Sequence, residues 1–205
     1  MRRIIATRIR LCLPEIAAEG DVKMSKIATT RSGAASANQV KLLVMTGLLA
    51  ALGCVATMVI VVPTPTGGYV NLGDTVVLLG AWLLGPVYGA IAGGIGPALA
   101  DLFAGYGVYV PATLAIKAAM GMTAAVLYRA LGRRHWALPV CGIAAEVIMV
   151  AGYCAYDTIL TGSLAVGLTG VPGNLVQGAF GVAASTLLAM TLKKSAYVRR
   201  AFPEL

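Results

Sequence analysis

Residues 67–117, GGYVNLGDTVVLLGAWLLGPVYGAIAGGIGPALADLFAGYGVYVPATLAIK, decide how the rest of the chain is read. Glycine and proline interrupt the apolar runs, but charge hardly does. Two polar clusters stand at the ends of those runs: Tyr69, Asn71 and Asp74 in one, Asp101, Tyr106, Tyr109, Thr113 and Lys117 in the other. A soluble helix carries a charged face, and these segments have none. Their solvent is lipid, and the polar clusters mark the wall of a pocket inside a membrane protein.

The composition agrees. The chain has 205 residues, of which 59% are hydrophobic and 12% charged, and a mean hydropathy of +0.84, values that do not suit a soluble domain. Apolar segments run over 40–62, 72–84, 87–104, 111–131, 137–160 and 171–192. A crossing takes about 20 apolar residues, so the segment at 72–84, closed by Gly85 and Pro86, is short for one. The expected fold is an all-α polytopic membrane protein with six transmembrane helices in a membrane domain over 38–194. Residues 1–37 read as a disordered cytoplasmic tail, with Met24 as an alternative start, and 195–205 as a cytoplasmic C-terminal tail.

The basic residues orient this arrangement. Fifteen of the sixteen Lys and Arg fall before or at the very start of the first segment, at the connection from the end of the fourth to the fifth, or after the sixth. The connections on the opposite side carry none, and by the positive-inside rule both termini are cytoplasmic in a multi-pass protein of the cell membrane. The remaining one, Lys117, lies inside the fourth segment. There an ionised lysine facing lipid costs about 2.5–3.5 kcal/mol, so it faces protein, water or a ligand.

Carboxylates share its half of the membrane: Asp74, Asp101 and Asp157 near the outer ends of their segments, and Glu146 near the middle of its own. Glu146, Tyr153 and Asp157 fall on one helical face. Thr113 stands one turn from Lys117, and Asn174 and Gln177 sit at the outer end of the last segment. With the rings of Tyr69, Tyr106, Tyr109 and Tyr153, these groups suit an outward-opening site for a small polar heteroaromatic. The plainer alternative is an interfacial belt of tyrosines and a set of acidic helix caps.

Several classes lose support. Basic residues in blocks between apolar runs do not make a nucleic-acid surface. His135 is the single histidine, too few for a catalytic triad or a histidine metal cluster. Cys12, Cys54, Cys141 and Cys154 lack metal-type spacing and read as small hydrophobes. No phosphate-binding GxxxxGK[ST] loop is present, so the chain does not drive transport with an ATPase of its own. Neither a cofactor nor a metal is expected.

The blocks GGYVNLGD at 67–74, LGPVYGAIAGGIGPALADLFAGYGVYVPATLAIK at 84–117, AEVIMVAGY at 145–153 and PGNLVQGAFG at 172–181, in that order, resemble the substrate-binding S components of energy-coupling-factor (ECF) vitamin transporters. The likeness is to the riboflavin-type group, which includes hydroxymethylpyrimidine and pyridoxine binders, and it covers about residues 41–192. It implies a membrane subunit, not an enzyme, that captures a vitamin from outside under a lid formed by the loop after the first helix, here residues 63–73. It also implies a transmembrane coupling subunit and two ATPase subunits as partners, with toppling in the membrane to release the cargo. The family's Ala-x-x-x-Ala contact for the coupling subunit falls here on Gly47 and Ala51 or on Ala50 and Cys54, small residues that permit close approach. Two other classes stay open. A stand-alone secondary transporter would show inverted repeats and broken helices, where this chain has no repeat and only Pro97 as a break. An intramembrane enzyme would use Lys117 with Glu146 or Asp101 as an acid–base pair.

Overall fold

A computed structural model describes residues 38–59, 61–63 and 69–205. The tail expected at 1–37, with Cys12 and Met24, and residues 64–68 of the expected lid lie outside the described residues. Helix α1 is Asn38–Val59; its first residues belong with 1–42, and the packing below is that of residues 43–205, a unit of its own.

After α1 the sequence led us to expect an open loop. Instead β1 (Val62–Pro63) and β2 (Tyr69–Val70) pair antiparallel, Val62 opposite Val70 and Pro63 opposite Tyr69. Two residues per strand fall below any periodicity a sequence can display, and a proline is tolerated because this ribbon is all edge. Helix α2 (Gly73–Leu84) starts where the Asn71 side-chain oxygen accepts from the Gly73 N–H at 2.8 Å, satisfying one orphan donor of the first turn. It stops at Gly85, whose φ of +80° is a conformation that side chains resist. Pro86 then opens α3 (Pro86–Phe103) in the first-turn position that needs no N–H.

Helix α3 is the central post. A Cβ added at Gly89 would come within 2.6 Å of Ala81 Cα in α2, one at Gly94 within 2.9 Å of the Leu114 carbonyl, and one at Gly96 within 2.5 Å of the Ala50 carbonyl in α1. Glycines at 85, 89 and 93 are four apart, a spacing that on sequence grounds places one bare stripe along a helix. The glycines in fact open α3 on three sides, and Gly85 is a turn outside it. Close backbone approach is the means by which helices pack in lipid, where no hydrophobic force drives them together.

Helices α4 (Val110–Ala130), α5 (Ala137–Thr161) and α7 (Val171–Lys194) complete the bundle. α3 packs on α2 and α4, α4 on α5, and α7 lies against α2 and α5. The connection expected as a loop before α7 holds a short helix, α6 (Leu164–Thr169), capped by Ser163. Among the described residues, four helical stretches are long and apolar enough to cross a membrane, namely α1, α4, α5 and the stretch joining α6 to α7. α3 has 18 residues and α2 only 12; at 1.5 Å per residue they are about 27 and 18 Å long.

Past α7, α8 (Ala196–Ala201) turns the chain back onto the end of α4. Glu204 accepts from Arg129 Nε at 2.7 Å and Arg133 Nη2 at 2.9 Å, and the Tyr128 hydroxyl donates to the Leu205 carbonyl at 2.9 Å. Burial alone would raise the Glu204 carboxyl, but the two guanidinium groups outweigh it and hold it below its ordinary value.

Candidate functional site

A cavity of about 30 Å³ lies under the ribbon. Thr57 reaches it from α1, Tyr69 and Asn71 from β2 and the turn after it, Pro97 and Asp101 from α3, and Tyr109, Thr113 and Lys117 from the start of α4. Tyr153 and Asp157 close it from α5, Asn174 and Gln177 from α7. That volume holds about one water, so a ring-sized guest requires the walls to part.

The floor is an ion pair. Lys117 Nζ donates to Asp74 Oδ1, and each side chain is only 1% exposed. Asp74 Oδ2 accepts from Gln177 Nε2 at 2.6 Å, and Gln177 Oε1 accepts from the Asn71 backbone N–H at 2.7 Å. One continuous network therefore ties the ribbon to α7, α2 and α4. Both charges are compensated in place, and reaching to the headgroups is ruled out for Lys117.

The walls are tyrosines holding acids. Tyr69 donates to Asp101 Oδ1 at 2.6 Å, and Tyr109 donates to Asp157 Oδ1 at 2.9 Å. Tyr153 donates to Thr113 Oγ1 at 3.0 Å, and its ring centroid lies 5.6 Å from Lys117 Nζ. Tyr69, in the ribbon, has its hydroxyl proton held well above the ordinary tyrosine value, by burial first and then by the bond to Asp101. Two buried oxygens facing the cavity, Thr57 Oγ1 and Asp101 Oδ2, have no hydrogen-bond partner among the described residues. The Thr113 hydroxyl stands beside the Asp101 carboxyl.

Of the thirteen site residues expected from sequence, ten line this cavity. Asp74 sits one layer below as the partner of Lys117. Tyr106 stands behind Tyr69, ring centroids 4.6 Å apart. Glu146 departs furthest from expectation. Its carboxyl turns into the room left by Gly178 and Gly181 of α7, lines an apolar groove between α5 and α7, and has both oxygens without a hydrogen-bond partner among the described residues. Helical spacing gives the direction of Cα–Cβ, not where a long side chain ends. Thr57 and Pro97 were missed: a single hydroxyl near the outer end of an apolar segment was the signal for the first, and Pro97 was read only as a helix break.

On α1, Ala50 and Cys54 face inward, each 8% exposed, with Ala50 against Gly96. Gly47 and Ala51 lie on the outer surface, where nothing stands within 4 Å of a Cβ placed at Gly47. Of the carboxylates near it, Lys117 is ion-paired with Asp74.

The profile of the family described as "ECF-type riboflavin transporter, S component" matches residues 37–194. A protein of Pyrococcus woesei described as "Uncharacterized protein in gap 3'region" is 36% identical over 110 residues, 53% of this chain and 72% of that protein. Among solved structures, the S component of a bacterial ECF transporter superposes with a TM-score of 0.63 at 24% identity, over 76% of this chain and 97% of that one. The S component for biotin from an ECF-type ABC transporter gives a TM-score of 0.53 at 17% identity, over 74% and 92%. At these identities the structural likeness speaks for the fold.

Proposed function

This chain belongs to the ECF-type riboflavin transporter S-component family, and from that premise we propose that it captures a B-vitamin or vitamin-precursor heteroaromatic of riboflavin, pyridoxine or hydroxymethylpyrimidine type at the cavity under the ribbon. It is a membrane transport subunit and not an enzyme. The observation that carries the reading is the cavity itself, in which tyrosine rings alternate with a few oriented donors and acceptors, all but closed over by the ribbon. Gln177 bonds the ribbon at Asn71 and the floor at Asp74. A guest that engages Gln177 or Tyr69 therefore acts on the ribbon's anchorage, which supports the loop at 63–73 as the lid.

In this reading α1, α2, α3, α4, α5 and α7 are the six membrane helices. Both termini are cytoplasmic, as the basic residues at 129–134 and 193–200 indicate. Transport needs a transmembrane coupling subunit and a pair of ATPases. On α1 the pair available to the coupling subunit is Gly47 and Ala51, flanked by Leu43, Val44, Leu48, Leu52 and Val55, each more than half exposed. Ala50 and Cys54 are buried, Ala50 against Gly96 of α3.

The test is reconstitution. Liposomes holding this chain alone should bind a vitamin saturably and show no ATP-dependent accumulation; adding coupling and ATPase subunits should produce it. Accumulation by the chain alone would replace this reading with a stand-alone secondary transporter.

A further inference from the structure

Besides the tyrosines, three ionisable side chains line the cavity among the described residues: Asp101, Asp157 and Lys117. The charge of Lys117 is spent on Asp74. Asp101 is 4% exposed and Asp157 3%, yet among the described residues neither has a cation within ion-pair distance. Each receives a hydrogen bond from a neutral tyrosine hydroxyl, and the one further donor beside Asp101, the Thr113 hydroxyl, is neutral as well. A neutral donor compensates an ionised carboxylate only in part, and membrane burial makes the shortfall expensive.

We infer that the guest supplies the missing charge, so that the site selects a positively charged, ring-bearing molecule over neutral rings of the same size and rejects carboxylate- and phosphate-bearing ones. The inference rests on the reading of this cavity as the vitamin site. Its lining is suited to a cation in a second way. The rings of Tyr69, Tyr109 and Tyr153 face the same space as the two acids, and a tyrosine face attracts a desolvated cation. Tyr153 already has one, Lys117 Nζ, 5.6 Å from its centroid. An anionic guest would meet two carboxylates and no uncommitted cation. A neutral guest would satisfy hydrogen bonds but leave the charge uncompensated. The cationic group sits between Asp101 and Asp157, with its ring against the tyrosines.

The test uses the full chain purified in detergent, with binding measured by calorimetry near neutral pH at constant ionic strength. Pyridoxamine, pyridoxine and 4-pyridoxic acid share one ring and differ in charge, positive, neutral and negative; thiamine and riboflavin form a second comparison, cation against neutral. Pyridoxamine should bind at least about tenfold tighter than pyridoxine, with pyridoxic acid weakest, and thiamine should bind more tightly than riboflavin, since a hydrogen bond to a charged group is worth about 1.5–3 kcal/mol. Asp101→Asn and Asp157→Asn should each lower the ratio of pyridoxamine to pyridoxine affinity by about tenfold. The neutral member of each pair controls for folding of the variant. Equal binding of neutral and cationic members, or tighter binding of the anion, overturns the charge selection while leaving ATP-dependent uptake by the reconstituted assembly intact. Failure of every probe to bind overturns the vitamin site and this inference together.

Discussion

Replacing Lys117 by methionine should cost far more than replacing both members of its ion pair. Lys117 and Asp74 are each 1% exposed, so Lys117→Met leaves a carboxylate in the membrane interior with no cation beside it, held by Gln177 and next to a second acid, Glu146. Breaking a buried pair from one side costs about 3–5 kcal/mol, and insertion scales give about 2.5–3.5 kcal/mol for one charged residue at mid-helix. The two figures agree because they measure the same desolvation. At this chain length about 2–4 °C of melting temperature corresponds to 1 kcal/mol, so the single variant should melt about 6–20 °C lower. Asp74→Asn should lose a similar amount, by stranding the ammonium. The double variant, Asp74→Asn with Lys117→Met, removes both charges and keeps a group for Gln177 to bond, so it should regain most of the loss. The assay is thermal unfolding in detergent followed by the fluorescence of Trp82, fully buried beside Tyr128 at a ring separation of 6.1 Å. Additive losses in the double variant, or single variants indistinguishable from the parent, would refute the buried pair.

Other expectations follow from single contacts. Tyr69→Phe removes the 2.6 Å bond to Asp101 and should speed ligand release about tenfold in stopped-flow displacement, whereas an unchanged off-rate would mean that the ribbon does not hold the guest. Asn174→Ala, which alters a buried amide facing the cavity, should weaken calorimetric affinity about tenfold with normal membrane insertion. Gly96→Val drives a branched side chain into the Ala50 carbonyl and should destabilise the bundle by about 1–3 kcal/mol or more, read as a lowered melting temperature. Glu204→Gln tests the contact of the C-terminal segment. The folded carboxyl lies below its ordinary value of 4.5, so its contribution is full above that pH and is lost as pH falls from there through the lower folded value. The melting difference between parent and variant should be full at neutral pH and vanish in acid; a difference that grew on acidification would reverse the assigned sign.

The broad architecture was legible because Gly and Pro mark its joints: Gly85 and Pro86 part α2 from α3 and Pro111 opens α4, as the sequence suggested. Most of the site was legible too, because polar groups in apolar helices are few and each needs a neighbour. What the sequence left open is non-local. Four carboxylates were possible partners for Lys117, and the choice of Asp74 depends on how α2 and α4 meet across α3. Where the Glu146 carboxyl ends was not legible, because it follows the glycine gap in α7, a property of another helix. The ribbon and α6 escaped because two and six residues carry too little pattern to be seen. Thr57 escaped because one hydroxyl in an apolar helix has no pattern at all.

The shortness of α2 has an electrical consequence. Its 12 residues, nine of them buried among α3, α4 and α7, make about 18 Å of helix where the hydrocarbon slab is about 30 Å thick. On the proposed orientation the remaining outer depth, about 12 Å by difference, is taken up by the ribbon and the cavity above Asp74. The floor under a captured guest is then thinner than the bilayer around it. A transmembrane voltage falls most steeply where the dry insulator is, so once the walls part and water enters with the guest the field is concentrated across α2 and its neighbours. A positive guest resting on Asp101 and Asp157 stands at the outer edge of that field, and a membrane negative inside draws it down onto the floor.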